Sequence, residues 1–168
     1  MLDSEQRSLA QISAGAPLGD VLETLLVGVE AESRGGMMAS ILLLDEAGEH
    51  LLHGAAPSLP AAYNEAIHGV EIGPSVGSCG TAAYFGHPIY VTDIASDPLW
   101  VNFKDLALSH GLRACWSTPI EGADGKLLGT FAIYHLAPRG PTPDEVASIN
   151  MIIKTTAQAI ERQRAWTG

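Results

Sequence analysis

Residues 112–135 read LRACWSTPIEGADGKLLGTFAIYH, and this stretch decides the fold class. Two apolar runs, Leu112 to Ile120 and Lys126 to His135, flank Gly122-Ala123-Asp124-Gly125. A short turn carrying Gly and Asp between two such runs predicts a β-hairpin. Side chains alternate across a strand. Leu127, Gly129, Phe131 and Ile133 are therefore expected on one face, and Leu128, Thr130, Ala132 and Tyr134 on the other. Both sets are largely apolar, so the strand is expected to be covered on both sides.

Downstream, Thr142-Pro143-Asp144-Glu145 fits a capping box with proline at the first helical position. Val146, Ile149, Ile153, Ala157 and Ile160 follow as an apolar helical stripe, closed by the polar residues Glu161 to Arg164. Upstream, Ser4 to Ile12 is polar and helix-compatible. Leu18, Val21, Leu22, Leu25, Leu26 and Val29 then recur at helical spacing after Pro17, and Gly35-Gly36 ends that region. Met38 to Leu44 and His50 to Ala55 enclose Asp45-Glu46-Ala47-Gly48, a second hairpin. Leu59 to Ile67 reads as a short helix.

Between the hairpins, Gly69 to Gly111 is irregular and rich in Gly, Pro, Ser and Asp. It holds a short β-like run, Pro88 to Val91, and a short helical run, Phe103 to His110. Long irregular segments inside a compact domain are often functional. The order of elements gives an α+β fold, an antiparallel sheet with helices collected on one face. The irregular segment must roof the other face, which makes a natural small-molecule pocket.

Composition sets the remaining bounds. The chain has 168 residues, 46% hydrophobic and 17% charged, which suits one domain with a sizeable core. Residues 1–16 read as a helical lead-in and 17–168 as a single domain. A net charge of −10 argues against nucleic acid and anionic membranes as partners. No apolar run approaches the roughly 20 residues of a bilayer span, and the N-terminus lacks the pattern of a secretory signal. Two cysteines, Cys79 and Cys115, make neither a disulfide scaffold nor a zinc motif, so a reducing cytoplasm is the expected compartment.

Four stretches together resemble the GAF domain family. They are Gly77-Ser78-Cys79-Gly80-Thr81-Ala82-Ala83, then Val91-Thr92-Asp93-Ile94 with Asp97-Pro98-Leu99-Trp100, then Gly111 to Ile120, then Gly125 to Ala132. The likeness runs from about Leu18 to Arg164. It implies a GAF/PAS-like six-stranded antiparallel sheet, with N- and C-terminal helices on one face and a cavity under a loop and short-helix roof on the other. It also implies homodimerisation through the terminal helices and a bacterial signalling context. The output would be a histidine kinase or diguanylate cyclase domain, in cis or in trans. The residues expected to face an unidentified small ligand are Cys79, Thr81, Trp100, Phe103, Cys115, Ser117 and Phe131; catalytic residues and metal ligands are not expected.

Each special chemistry has a plainer counterpart. The Gly73 to Gly80 segment lacks the P-loop and dinucleotide patterns, so its glycines read first as turn formers. Free methionine-(R)-sulfoxide reductases are GAF proteins with catalytic thiols, and Cys79 matches one of their positions. Cys115 does not, because it falls in a strand between Ala114 and Trp116, where a thiol is usually buried and inert. The Cys-His pair of bilin-binding relatives is absent from Asp105 to His110. The NKFDE-type signature of cyclic-nucleotide binders is also missing. His50 and His53 should point to opposite faces, and His68, His87, His110 and His135 sit near turns, which disfavours haem or metal. Trp100, Phe103 and Trp116 fit either a pocket lining or a core plug. The expected function is a non-catalytic sensory domain. A thiol reductase and a ligand-free dimerisation module are the alternatives, and the latter would fill its cavity with its own side chains.

Overall fold

The computed structural model describes residues 6–7, 10–12, 14–32 and 37–167. The expected Gly35-Gly36 break lies outside the described residues, as does part of the Ser4 to Ile12 helix. The element order is α1 (Leu18–Glu32), β1 (Met38–Leu44), β2 (His50–Ala55), α2 (Ala61–Ile67), β3 (Val70–Glu71), α3 (Cys79–Phe85), β4 (Ile89–Val91), a 3-10 turn (Pro98–Trp100), α4 (Lys104–Ser109), β5 (Ala114–Glu121), β6 (Leu127–His135) and α5 (Pro143–Thr167). The six strands form one antiparallel sheet in the order β3-β2-β1-β6-β5-β4.

Local chemistry explains most of these boundaries. Asp45 Oδ1 accepts from the backbone N–H of Glu49 at 2.9 Å and of His50 at 3.2 Å, and Gly48 takes the positive φ of 74° that the β1–β2 turn needs. At α5 the capping box is reciprocal. Thr142 Oγ1 accepts from the Glu145 N–H at 3.2 Å, and Glu145 Oε1 accepts from the Thr142 N–H at 2.9 Å. The helix runs past Arg164 to Thr167, longer than the expected polar close. Arg139 adds an ion pair to Glu145 at 2.8 Å.

The sheet separates two cores. Helices α1 and α5 cover one side, where Val21, Leu22, Leu25 and Leu26 pack with Ile41, Trp116, Ile120, Phe131, Ile133, Ile149 and Ile160. Complete burial of a side chain such as Leu22 or Leu26 contributes roughly 1.5–3 kcal/mol. The roof covers the other side, where Leu42, Leu51, Cys115, Ala132 and Tyr134 meet Tyr63, Cys79, Ile94, Trp100 and Leu112.

The alternation expected along β6 slips at one place. Ile120 pairs with Gly129, but Glu121 pairs with Leu127, which leaves Leu128 as an extra residue. Leu127 therefore joins the roof-side core and Leu128 the helix side, the reverse of the period-two expectation. Beyond the bulge the alternation holds.

Three elements were not foreseen. One is β3, a two-residue edge strand, and another is the 3-10 turn at Pro98–Trp100. The third is α3, inside the irregular segment, which buries Cys79, Ala82 and Ala83 and ends at Gly86 with φ 74°. Its small side chains let it lie close on the small residues of β5 and β6. Among the described residues, no helix is long and apolar enough to cross a membrane.

Candidate functional site

Helix α3 brings Cys79 down onto the centre of the sheet. Its preceding residue, Ser78, donates through Oγ to the carbonyl oxygen of Cys115 at 2.9 Å. Ser78 Oγ also accepts from Trp100 Nε1 at 3.1 Å, so the indole of the roof is tied to β5 through one buried hydroxyl. Asp97 caps the Trp100 turn by accepting from the Leu99 N–H at 2.9 Å, and the Gly77 N–H donates to the Leu99 carbonyl at 2.8 Å. Gly77 has φ 60°, and a side chain there would meet the Trp100 ring at 3.5 Å. The Gly-Ser-Cys and Asp-Pro-Leu-Trp motifs are thus two halves of one clasp.

Beneath the clasp lies a small polar cluster. Ser117 and Thr130 are fully buried, and their hydroxyls have no partner in hydrogen-bond geometry. Both lie on the roof-side face of β5 and β6, the face on which Cys79 is packed. The thiol is lowered to about 7, chiefly by a hydrogen bond with Cys115, helped by Ser117, Thr130 and Tyr134 and opposed by burial. Cys115 moves the other way. Burial pushes its thiol well up, and the adjoining Cys79 adds to the rise. Tyr63 and Tyr134 share a hydroxyl–hydroxyl hydrogen bond of 3.0 Å, and burial raises both phenols.

A cavity of about 30 Å³ adjoins this cluster, lined among others by Tyr63, Ser78, Cys79, Trp100, Phe103 and Tyr134. Such a space holds one or two waters. The roof therefore sits directly on the sheet, and side chains fill most of the expected pocket.

The seven residues expected to face a ligand divide accordingly. Cys79, Trp100 and Phe103 line the cavity. Cys115 and Ser117 lie just beneath it on the same sheet face. Thr81 is buried but occupied, accepting from the Val76 N–H at 3.0 Å and donating to the Gly77 carbonyl at 2.6 Å. Phe131 is on the wrong side. Cys115 pairs across strands with Tyr134, and Thr118 with Phe131, so Phe131 belongs to the face under α1 and α5. Trp116 is also there, with Nε1 donating to the Arg139 carbonyl at 2.8 Å. Ser78, Tyr63, Thr130 and Tyr134 were not singled out from sequence. Tyr134 carried a signal, since β6 alternation sets it opposite Phe131.

The histidines do not converge. Among the described residues, no group of three or more His, Cys, Asp or Glu could hold a metal ion. His50 pairs with Asp45 at 3.1 Å, and His68 Nδ1 accepts from the His53 N–H at 2.8 Å. His135, at the end of β6, is not solvated. It is 7% exposed, packs on Trp116 and lies 3.2 Å from the Arg139 guanidinium. Larger clefts of about 470 and 490 Å³ border α5 on the helix side. One holds His135, Arg139 and Glu145, and the other holds Pro119, Lys154 and Glu161.

Comparison with known proteins adds three findings. A family model described as GAF domain matches residues 15–161. The methyl sulfide methyltransferase-associated sensor of Methanosarcina acetivorans is 36% identical over 162 residues, covering 96% of this chain and 16% of that sensor. The chain therefore spans about a sixth of that relative's length. Among solved structures, a domain from a two-component sensor histidine kinase of Sinorhizobium meliloti superposes with a TM-score of 0.71 at 26% identity, covering 88% of this chain and 94% of that one. Free methionine-R-sulfoxide reductase of Neisseria meningitidis superposes at 0.75 with 15% identity, covering 96% and 86%. At that identity the likeness concerns the fold alone.

Proposed function

Because this chain belongs to the GAF domain family, we propose that it is the non-catalytic sensory module of a cytoplasmic signal-transduction protein. A small molecule acts beneath the roof, and the change passes through the sheet to α1 and α5. One observation carries this reading. The central strands β1, β5 and β6 are buried on both faces by alternate residues, Leu42, Cys115, Ala132 and Tyr134 toward the roof and Ile41, Trp116, Phe131 and Ile133 toward the helices. Close-packed interiors transmit strain, so a shift of the roof-side residues displaces their neighbours under α5. Side chains fill most of the space beneath the roof, the feature expected of a ligand-free dimerisation module, so the sensory reading takes a ligand of only a few heavy atoms or one for which the 3-10 turn and α4 lift. A signal results only if ligand favours one arrangement of the helices over another.

The named sensor among its relatives supports the module role. An output kinase or cyclase, in cis or in trans, and a homodimer through the terminal helices belong to the same proposal. Val27 on α1 and Met151 on α5 expose apolar side chains, as a helix-mediated dimer needs. Native mass spectrometry of the purified protein tests it. A dimer carrying added mass supports the reading and identifies the ligand. A bare monomer at every concentration examined removes both the ligand and the dimer.

A further inference from the structure

The roof-side cluster has the parts of a reactive thiol site. Cys79 and Cys115 share one buried cluster on the roof side of the sheet, Cys79 lining a small cavity and Cys115 sealed behind it, and Ser78 Oγ joins the two segments by donating to the Cys115 carbonyl at 2.9 Å. Cys79 keeps 7% of its surface exposed, and Cys115 keeps none. Both cysteines are free. Ser117 and Thr130, fully buried and without hydrogen-bond partners, lie on the same roof-side face of β5 and β6 as Cys115, and both help hold the Cys79 thiol down. Unmade hydrogen bonds at buried hydroxyls are costly, so a charge they can serve is favoured there. A neutral core would place apolar side chains at these positions.

We propose that Cys79 and Cys115 form a peroxide-reactive pair, in which hydrogen peroxide entering the roof-side cavity is reduced and the two sulfurs join in a disulfide. The inference deepens the sensory reading by naming a chemical class of input, and it rests on that reading only for the relay. In the first step the Cys79 thiolate attacks one peroxide oxygen. The S–O bond forms, the O–O bond breaks, and the departing hydroxide takes a proton and leaves as water. Cys79 is then a sulfenic acid. In the second step the Cys115 sulfur attacks the Cys79 sulfur. The S–S bond forms, the S–O bond breaks, and the hydroxyl leaves with the Cys115 proton as a second water. Two thiols lose two electrons and the peroxide gains them. A thiol reductant reverses the change by exchange.

The small cavity supplies the selectivity. Its volume of about 30 Å³ suits a molecule of two heavy atoms, whereas a bulky alkyl hydroperoxide would need the 3-10 turn and α4 to lift. The exposure difference assigns the order: Cys79 meets the oxidant, and Cys115 resolves. The bond would fasten the first residue of α3 to the middle of β5, where Ser78 already holds the Cys115 carbonyl at 2.9 Å.

The test is peroxide treatment of the full chain, followed by alkylation under denaturing conditions and intact-mass and peptide analysis. The expected product has lost two hydrogens, carries no alkyl group at either cysteine, and yields a peptide cross-linked from Cys79 to Cys115. Dithiothreitol should restore both thiols. Cys115→Ser should stop at a sulfenic acid on Cys79, trapped by dimedone added together with the denaturant, and Cys79→Ser should leave Cys115 reduced. If both cysteines of the unmodified sequence alkylate fully after peroxide, the proposal fails. It also fails if Cys115 oxidises as fast in Cys79→Ser as in the parent. Either failure leaves the sensory reading open to native mass spectrometry, which needs no thiol.

Discussion

The hydroxyls of Tyr63 and Tyr134 lie 3.0 Å apart, with the rings edge to face at an interplanar angle of 88°. One residue comes from α2 in the roof and the other from β6 in the sheet. Both are 1% exposed, and this is the hydrogen bond that serves the Tyr63 hydroxyl, while that of Tyr134 also faces the two thiols. A buried hydroxyl left without a partner costs roughly 1–3 kcal/mol, whereas removing both partners together can be nearly neutral. Tyr63→Phe and Tyr134→Phe should each destabilise the fold by about that amount. The double variant should recover most of the loss. Urea denaturation of the four proteins in a double-mutant cycle checks this. Additive losses would show that the two hydroxyls do not depend on each other.

Gly129 stands at the crossing of β1 and β6, where a side chain would overlap the carbonyl oxygen of Leu42. The obstacle is backbone, which cannot rotate away. Gly129→Ala should cost at least the upper end of the roughly 1–3 kcal/mol typical of overpacking. Gly125→Ala is the contrast. It meets nothing within 4 Å, and its strain comes only from φ 80°. Thermal denaturation should rank Gly129→Ala clearly lower.

His135 gives the fold a predictable pH response. Burial and the neighbouring Arg139 lower its pKa from 6.5, and Glu145 opposes them. The unfolded chain therefore takes up a proton at a higher pH than the folded one. The contribution to stability is complete above about pH 6.5 and is lost as pH falls toward the folded value. The Tm of the parent should decline below pH 6.5, and His135→Gln should flatten that part of the curve. An equal decline in both would place the effect elsewhere.

Met151 is 71% exposed on α5. If the terminal helices pair between two copies, a carboxylate there meets desolvation and its own symmetry mate. Met151→Glu should weaken the dimer by about tenfold or more, or ~1.4 kcal/mol. Sedimentation across a concentration series reads the shift. An unchanged dimer would move the interface off this face.

The legibility of the fold follows how local its causes are. The capping box of Thr142 and Glu145, the Asp45–Gly48 turn and the Gly125 turn (φ 80°) act over a few residues. Their elements were readable for that reason. Helix α3 was less so, because seven residues of mostly small side chains carry little periodic signal and are held by contact with β5 and β6.

By itself, then, the sequence determined the two hairpins, the terminal helices, the α+β class and the family. It also marked Cys79, Trp100 and Phe103, which line the cavity. Only the tertiary structure decided on which side each strand residue works. The Leu128 bulge exchanges the faces of Leu127 and Leu128, and the Cys115–Tyr134 pairing sends Phe131 and Trp116 under the helices. The structure alone brought Ser117, Thr130 and Tyr134 around Cys79 and closed the roof to a cavity of about 30 Å³. The physical reason is that alternation fixes only relative orientation along one strand. Which face meets which layer is set by register and packing between residues far apart in the chain.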